Sequence, residues 1–328
     1  MTQLLSLLQA AIVFGTVILF GSMGEILTEK SGNLNLGVPG IMYLGGIGGL
    51  AGAFWYETAA ANPNGLMALL IALICALAAS ILGGLIYSFL TITLRANQNV
   101  TGLTLTIFGS GLADLFGGAM NQMAGGVGQI SVAVSSGAYR ATLPFLRSVP
   151  LLSSLGFMVY FALIIAVVLS YFLTRTRKGL NLRSVGENPA TADAAGISVT
   201  KYKYLSTCAG AAITGLGGLY YVLDYIKGTW ANDGGIAMLG WLAVALVIFA
   251  RWKPLHAIWG SYLFGILFWL YYYLPDLFSI QISRSSQELW KMLPYAVTII
   301  VLIIVSMKKK RENQPPASLG LPYFREER

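Results

Sequence analysis

Nine stretches of this chain are long and apolar enough, or nearly so, to cross a lipid bilayer, and that pattern leaves few folds open. A spanning helix needs about 20 predominantly apolar residues. The stretches fall near 4–27, 36–54, 66–94, 100–122, 151–174, 203–222, 235–250, 254–273 and 292–307. In hydrocarbon every backbone N–H and C=O must be satisfied within the protein, so apolar runs of this length read as helices. Composition agrees. The 328 residues are 56% apolar and only 10% charged, where a soluble domain carries about 25% charge. Mean hydropathy is +0.70. These values exclude a soluble globular enzyme and a disordered chain. The 38 glycines follow no three-residue period and suit helices packed closely inside a membrane. The second and seventh stretches are Gly-rich at their starts and read as broken helices. The first has no positive n-region and ends among Glu25, Glu29 and Lys30. It therefore reads as a retained span, not a signal peptide.

Lys and Arg set the orientation expected. With the N-terminus outside and nine crossings, sixteen basic residues fall inside: Lys30, Arg95, six between Arg175 and Lys203, Arg251, Lys253 and six in the tail from Lys308. Five fall outside: Arg140, Arg147, Lys227, Arg284 and Lys291. The opposite orientation inverts this ratio. Residues 308–328 read as a basic, polar, mobile tail on the inner side. Residues 123–150 read as a long outer loop, and 175–202 as a long inner one.

An internal repeat is visible. Gly40-Ile41-Met42-Tyr43-Leu44-Gly45 resembles Gly235-Ile236-Ala237-Met238-Leu239-Gly240, and each follows a polar, Gly-containing stretch. Each opens the second span of a four-span group, and an odd number of crossings separates the groups. The fold expected is therefore an all-α polytopic membrane protein. It has two inverted four-helix repeats, about 4–122 and 203–307, joined by a fifth span and inner loop (151–202). Such repeats place a binding site near the bilayer midplane, lined by broken helices.

No Walker A sequence, H-E-x-x-H, G-x-S-x-G or Cys/His cluster occurs, so the chain carries no catalytic constellation, no metal site and no cofactor of its own. The inner loop holds VGENPATADAAGISVTKYK. Asn188 suits a helix N-cap and Pro189 the first helical position. Ala190 to Ala195 favour helix, and Gly196 suits the residue just past its end. A helix of about two turns is expected there.

At this point the sequence resembles the permease subunits of the ribose and nucleoside class of bacterial ABC importers, and most closely the nucleoside permeases associated with basic membrane proteins. The resemblance runs from about residue 20 to 270. It rests on EKSGNLNLGVPG (29–40), RANQNVTGL (95–103), GENPATADAAGI (186–197) and ARWKPLHAIWGSYLFG (250–265), in that order and spacing. It implies a bacterial cytoplasmic membrane protein with three protein partners: a cytoplasmic ABC ATPase that uses ATP and Mg²⁺, a second permease subunit, identical or different, and an extracytoplasmic substrate-binding lipoprotein. Nucleic acid is not among the partners. It also implies that the inner-loop helix, with Asn188, Pro189, Asp193, Ala194, Ala195 and Gly196, is the element that contacts the ATPase. Two positions depart from the family pattern. Pro39 stands where N-[LI]-G-x-E-G has Glu, and Thr106 where Asn is frequent. If those positions meet substrate, the departures imply a different solute.

The substrate pathway expected from these readings includes Asn33, Asn35 and Gly37 in the first irregular stretch and Asn232 and Asp233 in the second. Asp114 joins them, because a charge within an apolar span usually faces an interior cavity. Helix capping is the competing role for the asparagines. Tyr43, Phe108, Trp230 and Trp241 could stack on a flat ring. Nucleoside is the solute expected first and a simple sugar second. The rival reading is an ion-coupled secondary transporter, for which only Asp114 and Glu25 offer intramembrane carboxylates.

Overall fold

The computed structural model describes residues 2–124, 130–142, 149–230, 234–278 and 314–325, with scattered positions between 289 and 303. Among them are eleven α-helices: α1 (Thr2–Glu29), α2 (Val38–Ala59), α3 (Gly65–Ser88), α4 (Gln98–Met123), α5 (Ala133–Tyr139), α6 (Phe157–Arg175), α7 (Arg177–Glu187), α8 (Pro189–Ala194), α9 (Val199–Tyr220), α10 (Gly235–Phe249) and α11 (Pro254–Phe278). α3 and α9 each run on into a π-helical turn, Phe89–Thr93 and Tyr221–Tyr225. Among the described residues six helices are long and apolar enough to cross a membrane: α1, α2, α3, α4, α6 and α9. α10 and the Pro254–Leu270 part of α11 are shorter apolar helices. Eight of the nine expected stretches thus appear as helices. The ninth, 292–307, lies largely outside the described residues. The protein is an all-helical polytopic membrane protein.

α1, α2 and α9 form the centre, ringed by α3, α4, α10 and α11. Lipid tails are as apolar as leucine, so packing and not water exclusion holds such a bundle together, and small residues are needed where backbones meet. α3 shows the consequence. Ala68, Ala72, Ala76, Ser80, Gly83 and Gly84 face the bundle, while Leu66, Leu70, Ile74, Leu82, Leu85 and Ile86 point outward. Large residues outside and small ones inside invert the pattern of a soluble helix. The closest approaches are backbone to backbone. A Cβ on Gly218 of α9 would stand 1.8 Å from the Met42 carbonyl oxygen of α2. One on Gly24 of α1 would stand 2.3 Å from the Gly210 carbonyl oxygen of α9, and one on Gly109 of α4 2.4 Å from that of Gly40.

Two ends of the bundle are distinguished by what gathers there. At one end Gly186 packs on the Lys30 carbonyl, the Trp252 indole donates to Glu29, and the guanidinium of Arg95 lies 4.6 Å above the ring of Phe324. At the other end Glu57, in the last turn of α2, accepts from the Ser135 N–H at 2.7 Å and so caps α5. There also the Gln9 amide donates to the Pro150 carbonyl at 2.9 Å, and Ser131 bridges Thr229.

The tail differs from expectation. Residues 314–325 are packed, not loose. The Ser318 N–H donates to the Gly186 carbonyl at 3.0 Å and the Gly320 N–H to the Gly32 carbonyl at 3.1 Å. Tyr323 packs with Val185, Ala192 and Val199. Composition predicts mobility here because the segment is polar, but it finds backbone partners that lie far away in sequence.

Candidate functional site

The first irregular stretch, 30–37, is a loop that turns back into the bundle from the basic end. Side chains from neighbouring elements hold its backbone. The Leu34 N–H donates to Gln98 Oε1 at 2.7 Å, and the Tyr87 hydroxyl donates to the Leu34 carbonyl at 2.5 Å. The Asn35 N–H donates to Glu25 Oε1 at 3.0 Å. Thr106 Oγ1 donates to the Leu36 carbonyl at 3.1 Å. Unpaired backbone groups at membrane depth are costly, and this network removes the penalty for the groups it engages.

Asn33 and Asn35 are both buried, 0% and 2% exposed. Asn35 Oδ1 accepts from the Gly37 N–H at 2.9 Å, an Asx turn at the start of α2, where Gly37 is the N-cap. Asn33 Nδ2 donates to Thr207 Oγ1 at 3.0 Å, while Asn33 Oδ1 is buried without a hydrogen-bond partner among the described residues. Glu25, 1% exposed, stands one turn from Glu29, which accepts from the Trp252 indole. Outside the spans, desolvation lowers the Lys30 ammonium from its ordinary range, partly offset by Glu187.

The other expected pathway residues are placed differently. Asp114 is exposed on α4, on the side opposite the buried stripe Gly102, Leu105, Gly109, Ala113 and Gly117. That open side also carries Thr104, Phe108 and Gly111, with nothing within 4 Å of a Cβ at Gly111. Asn232 and Asp233 lie outside the described residues. Their neighbour Trp230 is described, and its indole meets Gly117 of α4. Gly37 meets Gly102 of the same helix. Fifteen residues separate the two contacts, about 22 Å along the axis. The two irregular stretches therefore approach α4 from opposite ends. Pro39 packs on Gly240 of α10, and Thr106 holds the loop, so both departures from the family pattern serve packing in this conformation. Tyr43 is buried, and Trp241 is exposed.

The inner-loop helix forms as its caps dictate. Asn188 Oδ1 accepts from the Thr191 N–H at 3.0 Å, and Pro189 opens α8. Gly196 has φ +81°, and the Ile197 N–H returns to the Ala192 carbonyl at 3.0 Å. Asp193 is engaged by the tail: the Tyr323 hydroxyl donates to Asp193 Oδ2 at 2.8 Å, and Arg325 Nε lies 3.2 Å from the same oxygen.

Sequence reading missed Asp224, in the π turn after α9. It is 7% exposed, and among the described residues its Oδ2 has no hydrogen-bond partner. A carboxylate ending a long apolar run is the signal that could have found it. It also missed α7, an amphipathic helix just before α8.

Comparison with known proteins places this geometry. The profile of the family described as "Branched-chain amino acid transport system / permease component" matches residues 7–302. A putative glucose ABC transporter permease protein of Haloferax volcanii is 34% identical over 262 residues, covering 80% of this chain and 75% of that one. The nucleoside ABC transporter permease NupC of Lactococcus lactis is 29% identical, covering 89% and 90%. The guanosine ABC transporter permease NupQ of Bacillus subtilis is 29% identical, covering 99% of each. No solved structure gives a significant match. The family profile covers nine-tenths of the chain and the helical bundle carries that length into a membrane: the chain belongs to the branched-chain amino acid transport system permease-component family.

Proposed function

We propose that the chain is the membrane permease subunit of an ABC importer that moves a nucleoside or related simple sugar into the cytoplasm. The observation that carries the proposal is similarity, over nearly the whole chain, to permeases named for nucleosides and for glucose. The family implies a separate ATPase and a substrate-binding protein, and a second permease completes the pathway. α8, with Asn188, Pro189 and Asp193 to Gly196, docks on the ATPase. Asn33, Asn35, Gly37, Asp114, Asn232 and Asp233 line the route. The orphan acceptor Asn33 Oδ1 supports this, since it suits a hydroxyl-rich uncharged solute. The exposed carboxylate of Asp114 does so as well, since a charge is costly against lipid.

The N-terminus lies outside and the C-terminus inside. The gathering of Lys30, Arg95 and the tail at one end supports this orientation. The count of nine crossings has a similar basis. α11 runs antiparallel to α1, since Gly15 meets Ser261 and Gly265 meets Ala11, and so leads away from the basic end. Ser318 stands at that end, which agrees with a further crossing. Helix pairing supports the inverted repeat: α2 packs on α9 as α10 packs on α1, and α3 on α9 as α11 on α1.

Labelled guanosine and glucose uptake, by cells expressing the chain with its ATPase and binding protein, tests the proposal. Uptake should stop when the Walker lysine of the ATPase is replaced, and should persist when a protonophore collapses the ion gradient while ATP is maintained. The reverse result makes the protein an ion-coupled carrier.

A further inference from the structure

A cavity of about 300 Å³ opens at the basic end between the last turn of α3, the start of α9 and the tail. Its lining includes Thr91, Arg95, Thr200, Lys203 and Arg325, with Asp193 as the one carboxylate among the lining residues. Asp193 is already engaged by Tyr323 and Arg325. Lys203 is 3% exposed, and among the described residues its ammonium has no hydrogen bond and no ion pair. A largely desolvated cation that lines a cavity without a partner favours an anion in that cavity. Two further features point the same way. The N-cap of α9, Ser198, makes no side-chain capping bond, so the first N–H groups of a 22-residue helix remain available beside the cavity; such a terminus attracts anions. Arg95, two residues past the π turn, adds a second cation to the lining.

We propose that this cavity binds a phosphate group through Lys203, the N-terminus of α9 and the flanking Arg95 and Arg325. The site lies at the ends of two spans, with Leu94 and Leu205 exposed nearby. A phospholipid headgroup can thus enter with its chains along those leucines, while a free phosphate-bearing solute can enter from the cytoplasm. Occupancy ties α3, α9 and the tail, and through Asp193 it ties them to α8.

Binding to the folded protein alone raises apparent stability by mass action, so thermal unfolding of the purified full chain reads the site. Three conditions are compared: vesicles of phosphatidylcholine alone, the same with a quarter phosphatidylglycerol, and phosphatidylcholine with millimolar inorganic phosphate. A rise with phosphatidylglycerol that Lys203→Met removes, and that Lys201→Met on the exposed side of the same helix retains, assigns the lipid headgroup. A rise with inorganic phosphate, abolished by Lys203→Met and not exceeded by phosphatidylglycerol, assigns a soluble phosphate. Should Lys203→Met fail to fold, Arg325→Gln, at a side chain 73% exposed, must weaken the same rise. No rise with either probe, or an equal rise in the variants, overturns the proposal. Lys203-dependent, salt-sensitive docking of the ATPase without any phosphate effect also overturns it, and assigns an acidic partner surface instead.

Discussion

At the scale of single residues, the steric environment of each glycine decides what a methyl group does. A Cβ on Gly218 would stand 1.8 Å from a backbone oxygen of α2, which cannot swing aside as a side chain can. Gly218→Ala is expected to lose about 1–3 kcal/mol through overpacking. Gly111→Ala meets open space on the exposed side of α4 and is expected to be neutral or to gain up to about 1 kcal/mol from helix propensity. Thermal unfolding in detergent separates the two, and equal effects would remove the packing argument. Asn35 presents a different choice. Its Oδ1 caps Gly37, so Asn35→Ala should lose about 1 kcal/mol, whereas Asn35→Asp keeps the acceptor. If Asn35→Asp is stable and transports normally, the residue acts as a cap. If it is stable and transport falls, its amide group meets the solute. The polar character of Asn33 and Asn35 is plain in an apolar sequence. Their partners Thr207 and Glu25 are not: Thr207 lies on a helix 174 residues away, and Glu25 is met only because the loop folds back on α1.

At the scale of elements, α8 was readable because helix caps are local. Asn188, Pro189 and Gly196 occupy the positions their chemistry favours, and the structure adopts each. Gly196 at φ +81° admits a β-branched residue only with strain of order 1–3 kcal/mol. Gly196→Val should therefore leave the protein in the membrane while abolishing uptake and substrate-stimulated ATPase activity in the reconstituted importer. Normal stimulation would remove α8 from the coupling role. The tail was misread because its order comes from Gly186, Gly32 and Asp193, which composition cannot see. Deleting residues 314–328 takes away both Tyr323 and Arg325 from Asp193. Hydrogen exchange across 189–196 is expected to quicken in that variant, and unchanged protection would show the strap to be passive.

At the scale of the whole molecule, an odd number of crossings places the two termini on opposite sides. With Cys75 and Cys208 replaced by alanine, Thr2→Cys should react with a membrane-impermeant maleimide in intact cells. Leu321→Cys, at a residue 59% exposed at the basic end, should react only after the cells are opened. Labelling of both in intact cells would mean an even crossing number. The same scale bears on the pathway. The loop at 33–37 and the segment ending at Trp230 touch α4 about 22 Å apart, so in this conformation they do not stand side by side.

The helical nature of eight of the nine apolar stretches and the caps of α8 were determined by the sequence alone, because each depends on composition within one run of residues or on neighbours three or four places away. The bilayer strengthens that determination, since a spanning segment must satisfy its own backbone. Which glycines form the contacts between α1, α2, α4 and α9, where Asn33 and Asn35 find partners, and how the tail meets α8 were decided only by tertiary structure. Those features depend on backbones from different helices meeting at a few ångströms, and no local pattern encodes which pair will meet. The cavity at Lys203 belongs with them: a lysine at the start of an apolar run reads as an interfacial charge until α3, α9 and the tail close around it.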